Sequence, residues 1–327
     1  MKKRIVTLGE LMIRLSPPGY TRFLQAESFG ITFGGAEADV AVALSSLGME
    51  AAYVTKLPEH EIGQMAVGSL RKYGVDTSRV VRGGSRIGAY YVEKGASQRP
   101  GKVIYDRAGS AFATAAREDF DWDAILEGAD WFHFSGITPA LGEGATAICL
   151  DALEAARRHG VTVSCDINYR SKLWSPEAAL LTMERLLPYV DYCKDLFRFG
   201  GEAPDDFEIG MLTEWMTRDF GLRGIAMTKR VSRSANDHRL SGVFYTGGKS
   251  YTSREYEMHL VDRLGGGDAF TAGWIFSLLE GATPEEAVEF ATAAGCLGHS
   301  IEGDYLLASV EEVRALAHGD GSGRVNR

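Results

Sequence analysis

The chain has 327 residues, 44 acidic against 35 basic side chains, a formal charge of −9 and 45% hydrophobic residues. That length supports a large buried core, and the charge balance excludes a general nucleic-acid binder while allowing a local basic pocket. Cys149, Cys165, Cys193 and Cys296 stand singly in apolar surroundings, which excludes a disulfide framework or zinc pattern and suits buried thiols.

Lys2, Lys3 and Arg4 open the chain, but the apolar stretch behind them breaks at Gly9-Glu10 without a cleavage site. Ile5–Leu8 therefore reads as a first strand rather than a leader. No run approaches the length of a membrane span, so no membrane partner and a cytoplasmic location are expected.

Residues 11–33 and 86–107 carry short alternating segments around the turn signals Pro17-Pro18-Gly19 and Pro100-Gly101, and both read as hairpins. Between them lie a helix of small residues, Ala36–Leu47, a strand at 51–55 and a helix near 61–73. Two β excursions thus interrupt an α/β core, and they are expected to pair as a lid over a site.

From residue 131 the rhythm is regular. Strand Trp131–Phe134, helix 143–159, strand Val161–Cys165 and a helix at 176–187 opened by Ser175-Pro176 give βαβ punctuation. A strand near 190–193, a helix at 207–220 and a strand at 225–228 continue the parallel pattern. A hairpin of 242–246 with 250–257 precedes helices at 269–280 and 284–298, and the tail from Gly319 is expected to be disordered. The expected architecture is one α/β domain over 1–318, with a mostly parallel sheet and helices on both faces.

The richest chemistry lies at Gly265-Gly266-Gly267-Asp268. Glycines entering a helix let the backbone approach an anion, and the first N–H groups of the helix point toward one. Asp268 then has two readings. It is either an N-cap or a base that takes a proton from a hydroxyl attacking phosphorus.

Asp166-Ile167-Asn168-Tyr169-Arg170-Ser171-Lys172 follows a parallel strand, where open α/β sheets bind ligands. Arg170 suits a carboxylate or a surface ion pair. Gly34-Gly35 before the helix of small residues suits close backbone approach or a tight connection. Tyr105 and Arg107 alternate onto one side of a strand, with Tyr90 in the same excursion.

Two motifs are decoys. Gly247-Gly248-Lys249-Ser250 has Val243 where a P-loop needs its first glycine, and Leu8-Gly9-Glu10 lacks the further glycines of a dinucleotide fold. The seven histidines show no metal-ligand spacing, and His133 reads as a core residue.

Taken together, Gly34-Gly35, the run from Asp166 to Ser175 and Gly265-Gly266-Gly267-Asp268 resemble the ribokinase-like (PfkB) carbohydrate kinases over roughly residues 4–312. Asn168–Trp174, Asp262-Arg263 and Gly303-Asp304-Tyr305 are most similar to the members that phosphorylate 2-keto-3-deoxygluconate on its terminal hydroxyl. The resemblance implies a ribokinase-like fold, a sugar acid and ATP as partners, Mg²⁺ bridging ATP oxygens, and a homodimer formed through the β lid. It leaves a monovalent cation and the gluco or galacto epimer open.

Carried over by residue, the resemblance makes Asp268 the base and Gly265, Gly266 and Gly267 the anion hole. Gly34, Tyr90, Tyr105, Arg107, Arg170 and Asp304 would hold the sugar acid, while Asn168, Thr228 and Arg230 would lie near the nucleotide. No metal ligand is assigned. The alternatives are a neutral-sugar kinase such as a fructokinase, and a non-catalytic sugar-binding or regulatory protein on the same fold.

This chain departs from the family pattern twice. Asp39 stands where the first motif usually has asparagine, and the family's Asn-x-x-Glu after the strand near 190 is absent. The segment reads Asp191-Tyr192-Cys193-Lys194-Asp195-Leu196-Phe197, with Asp195 and Glu202 as candidate substitutes.

Overall fold

The computed structural model describes residues 2–196, 206–321 and 323. Glu202, Phe197 and most of the tail from residue 322 lie outside them. The first segment gives β1 (Arg4–Leu8), β2 (Met12–Ser16), β3 (Gly30–Gly34), α1 (Ala36–Ser46), β4 (Glu50–Val54), β5 (Lys56–Leu57), α2 (Glu61–Arg71), β6 (Val81–Arg82), β7 (Gly88–Glu93) and β8 (Lys102–Asp106). Then follow α3 (Trp122–Leu126), β9 (Trp131–Ser135), α4 (Glu143–His159), β10 (Thr162–Asp166), α5 (Pro176–Leu186), β11 (Tyr192–Lys194) and α6 (Asp206–Phe220). β12 (Gly224–Ser232), β13 (Asp237–Thr246), β14 (Lys249–Thr252), β15 (Tyr256–His259), α7 (Gly266–Leu279), α8 (Pro284–Gly298) and α9 (Val310–Ala317) complete the order.

The large sheet runs β14-β13-β12-β11-β10-β9-β1-β4, with β15 paired to β13. Its centre is parallel from β12 to β4, and β13, β14 and β15 add an antiparallel edge. Alternation splits the core cleanly. Ile5, Tyr53 and Trp131 face α1, α7 and α8, while Val6, Leu8, Phe132 and Phe134 face α4 and its neighbours. A sheet buried on both faces reads as near-continuous apolar strands, as Trp131–Ser135 does with all five residues buried.

Local signals explain most helix ends. Pro284 opens α8 behind Thr283, whose hydroxyl accepts from Glu286 N while Glu286 reaches back to Thr283 N, a reciprocal cap. Gly160 ends α4 with a left-handed φ of 66°. α7 is apolar nearly all round because it is enclosed by α1 and α8. All four cysteines are buried and unpaired, and His133 sits in the core against Ser164 Oγ at 2.8 Å.

The two β excursions do pair. β2 meets β3 antiparallel and β7 parallel, and β7 meets β8, giving a four-stranded sheet ordered β3-β2-β7-β8. Leu24, Ile31, Phe29 and Ile104 lie exposed on it or its connections.

Three boundaries differ from the sequence reading. β12 extends beyond Thr228 to Ser232 and takes in Arg230, because β13 begins at Asp237 and its pairing with β12 runs to Ser232. The expected late hairpin is three strands, β13 to β15. α7 starts at Gly266 rather than residue 269, so Gly265 is the N-cap and Asp268 falls inside the first turn. Among the described residues no helix is long and apolar enough to cross a membrane.

Candidate active site

A cleft of about 1300 Å³ opens at the carboxyl ends of β10, β11 and β12, bounded on one side by α1 and α7 and on the other by the small sheet. Tyr90, Tyr105, Arg107, Asn168, Arg170, Arg230, Gly265, Gly267, Asp268 and Asp304 all line it. Gly34, Gly266 and Thr228 are not part of its wall. Gly34 lies just beneath, where a Cβ would sit 2.3 Å from the Tyr90 hydroxyl oxygen and 2.6 Å from Asp304 Oδ2.

The floor is the start of α7. Gly265 has φ 74°, and a Cβ there would lie 1.8 Å from the carbonyl oxygen of Asp304, so conformation and space both demand glycine. At Gly266 a Cβ would strike the His299 ring at 2.1 Å. Gly267 faces the cleft, and the nearest atom to its notional Cβ is Lys194 Nζ at 3.5 Å. The first helical hydrogen bond runs from Ala269 N to Gly265 O at 2.8 Å. The amides of Gly266, Gly267 and Asp268 therefore precede the helical ladder and are the donors a helix start offers an anion.

Asp268 projects from this turn, half-buried. Desolvation foremost pushes its carboxyl up to about 8, with Lys194 opposing the shift and Asp166 and Glu37 adding to it. A carboxylate held near neutrality is poised to take a proton. Glu37 lies behind, buried in α1, its Oε1 accepting from Ser135 N at 2.9 Å and from the hydroxyls of Ser135 and Thr138.

Next to Asp268, Asn168 adopts φ 40° and Asp195 φ 68°. Both follow a strand end. Between them Asp166 is buried, with Oδ1 accepting from Asn168 N at 3.0 Å and Oδ2 from Lys194 Nζ at 2.8 Å. Burial works against the charge of Lys194, but Asp166, Asp195 and Asp268 outweigh it and its pKa is raised. Lys194 is an ammonium at the bottom of the cleft.

Asp39 sits deep in α1 with Oδ1 accepting from Gly35 N at 3.1 Å. Burial, then Asp304 and Asp268, push its carboxyl well up. In the neutral form it presents one acceptor and one donor. An asparagine at this position would likewise offer one oxygen acceptor, with an NH2 of two donors in place of the single O–H.

The small sheet supplies the opposite wall, and several of its candidates are already engaged. Tyr90 donates to Asp304 Oδ2 at 2.5 Å, and buried Arg14 of β2 pairs with both Asp304 and Asp262, the latter at 2.6 Å. Arg107 pairs with Glu10, its Nε 2.7 Å from Oε2. Arg170 differs. Its guanidinium is exposed, donates to the carbonyls of Asn168 and Tyr169, and among the described residues meets no carboxylate.

Arg230 and Arg263 form a cationic end of the cleft. Arg230 Nη2 lies 2.7 Å from His299 Nε2, and His299 Nδ1 lies 2.9 Å from Asp262 O. An arginine only donates and a carbonyl only accepts, so the imidazole is neutral with its proton on Nδ1. Burial, then Arg230, pushes His299 down to about 4, in agreement.

The sequence matches the profile of the pfkB family carbohydrate kinases over residues 2–194 and 240–305. The chain belongs to that family. It is 36% identical to a 2-dehydro-3-deoxygalactonokinase of Haloferax volcanii, with 99% of each chain covered. A 2-dehydro-3-deoxygluconokinase of Bacillus subtilis is 29% identical, over 93% of this chain and 92% of that one. The crystal structure of a 2-dehydro-3-deoxygluconokinase from Thermotoga maritima superposes with a TM-score of 0.93 at 46% identity, covering 97% of this chain and 100% of that one. The fold is accordingly ribokinase-like, and the protein is a carbohydrate kinase.

Lys194, Glu10, Arg14 and Arg263 are cleft or support residues to which the sequence reading gave no role. A lysine closing a buried strand, one strand over from Asp166, is a readable signal. The pairing of Glu10 with Arg107, 97 positions away, leaves no local signature.

Proposed function

We propose that this kinase transfers the γ-phosphoryl of ATP to the terminal hydroxyl of 2-keto-3-deoxygluconate, also called 2-dehydro-3-deoxygluconate. The observation that carries the reading is Asp268 beside the unpaired amides of α7, in one cleft with the exposed guanidinium of Arg170, whose hydrogen bonds go to backbone carbonyls. The relatives named above support the substrate class.

In this reading Arg170 takes the sugar carboxylate, and Arg107 joins it by exchanging Glu10 for the ligand. Tyr90, Tyr105 and Asp304 line the sugar subsite, with Asp304 and Tyr90 fixed by Arg14. Asp268 accepts the proton of the attacking hydroxyl as the new O–P bond forms and the bond to the ADP oxygen breaks. The amides of Gly266 and Gly267 stabilise the charge on the phosphoryl oxygens. Arg230, held by neutral His299, and Arg263 face the nucleotide phosphates, with Asn168 and Thr228 nearby.

Among the described residues no three His, Cys, Asp or Glu side chains gather into a metal cage. Such a donor set fits Mg²⁺ carried on the nucleotide and held mostly through water. When bound, the ion supplies charge neutralisation on the phosphates. The apolar surface of Leu24, Phe29, Ile31 and Ile104 supports the homodimer through the small sheet, and light scattering behind size exclusion tests it.

The decisive assay is ADP release with Mg-ATP and a panel of 2-keto-3-deoxygluconate, its galacto epimer, fructose and ribose. Selective turnover of the keto-deoxy acids is expected. Equal or better turnover of fructose overturns the sugar-acid reading, and no turnover on any sugar moves the chain toward a binding role.

A further inference from the structure

The segment after β11 lacks the asparagine and glutamate that the family pattern places there, and the structure shows what stands close by. β11 ends on Lys194, whose ammonium lies at the bottom of the cleft against the one α7 glycine that faces it. It is fixed on its other side by buried Asp166 at 2.8 Å, and Asp166 is itself held by Asn168 N. We propose that Lys194 is a catalytic cation of this enzyme, contacting the transferring phosphoryl group beside the Gly266 and Gly267 amides. This chain thereby carries in its own side chain part of the charge neutralisation that phosphoryl transfer requires.

The physical case has three parts. Burying an ammonium in a ligand-binding floor is costly unless a partner compensates it. Asp166 provides that partner at one face of the ammonium, while Gly267, with no side chain, leaves the other face open to a ligand. Second, an ammonium has three donors, and the Asp166 bond occupies one of them. Third, its location matches the charge that develops. The amides of α7 and Lys194 converge on one space, so an anion there meets a helix start and a full positive charge together. Asp268, across that space, stays the proton acceptor, and Lys194 moderates the upward shift of its carboxyl.

The inference rests on the kinase reading, so its test measures binding rather than turnover. The non-hydrolysable ATP analogue AMP-PNP, ADP and AMP are titrated calorimetrically into wild type, Lys194→Met, Lys194→Arg and Asp166→Asn/Lys194→Met, each with Mg²⁺ and with EDTA. The double variant removes both charges, so Asp166 is not left unpaired if the single change unfolds the chain. A charge-assisted contact corresponds to about a tenfold to hundredfold change in affinity.

Lys194→Met and the double variant are expected to lose that much AMP-PNP affinity in EDTA, with a smaller loss in Mg²⁺. AMP affinity should be unchanged, and Lys194→Arg should recover part of the loss. A merely structural ion pair would lower AMP and AMP-PNP binding alike, and that result overturns the proposal. Unchanged AMP-PNP affinity in the folded double variant overturns it as well. Failure of the wild type to bind any of the three nucleotides would instead overturn the kinase reading and this inference with it.

Discussion

The floor and the small-sheet wall of the cleft are built on opposite principles. The floor holds charge that its own contacts leave open on the cleft side: Asp268 is shifted to about 8, and Lys194, bonded to Asp166 on one face, meets Gly267, bare of side chain, on the other. The wall is balanced internally, with Arg107 neutralised by Glu10, and Asp304 by Arg14 and Tyr90. Electrostatic imbalance held in place by the fold is what stabilises a transition state without reorganisation. Internal pairs that ligands must exchange are better suited to choosing a substrate. The difference assigns chemistry to the floor and selection to the wall.

Variants test that division, beginning with the largest effect. Asp268→Asn should lower kcat by about 10²–10⁴ with KM for the sugar acid nearly unchanged, as steady-state kinetics would report. Because a carboxyl whose folded pKa is raised loses stability as pH rises from the unfolded value through the folded one, the same variant should melt at an equal or higher temperature than wild type above pH 8. A variant that lost both activity and stability would put Asp268 among the structural residues.

Arg14→Ala strikes the wall's anchor. Two buried carboxylates, Asp262 and Asp304, lose their common partner, and about 3–5 kcal/mol of stability should go with it, read from denaturant unfolding. A loss under 1 kcal/mol would mean that the small sheet is held by something else.

Arg170→Ala should cost about tenfold to a hundredfold in kcat/KM for the sugar acid and little for a neutral analogue. The ratio of the two is the readout. If both fell together, Arg170 would serve the nucleotide instead.

The smallest effect belongs to Asp39→Asn. Since burial, then Asp304 and Asp268, push the Asp39 carboxyl well up, its amide isostere should leave kcat/KM within about threefold at pH 7, a difference below 1 kcal/mol. A large loss would show that the carboxyl charge, rather than the hydrogen-bond pattern, is used.

Legibility in the sequence follows the same division. Gly265–Gly267 and Asp268 could be read because a helix start that admits an anion needs residues of that kind in consecutive order. The strands and helices from Trp131 to Leu186 could be read because caps such as Ser175-Pro176 and Gly160 are local. The start of α7 lies three residues before the expected 269, since three glycines read as a turn while Gly266, packed on the His299 ring, and Gly267 are helical.

Arg230 reads as a residue beyond the strand at 225–228 because the strand's pairing with β13 depends on a partner several residues on. Glu10 and Arg14 have no local signature because their partners are remote in sequence. The altered segment after β11 stands out in the sequence by the asparagine it lacks. Lys194, which ends β11 just before it, is the charged group the structure places in the cleft.

The measurement that bears most directly on the central claim is the pH dependence of kcat/KM for 2-keto-3-deoxygluconate, with Mg-ATP saturating. A base that must be ionised in the free site gives a rate rising with pH, and the account predicts a limb with its midpoint near 8, set chiefly by the burial of Asp268. Asp268→Asn should remove that limb. A profile flat from about pH 6 to 9, or a limb that survives in the variant, would contradict the assignment of Asp268 as the base.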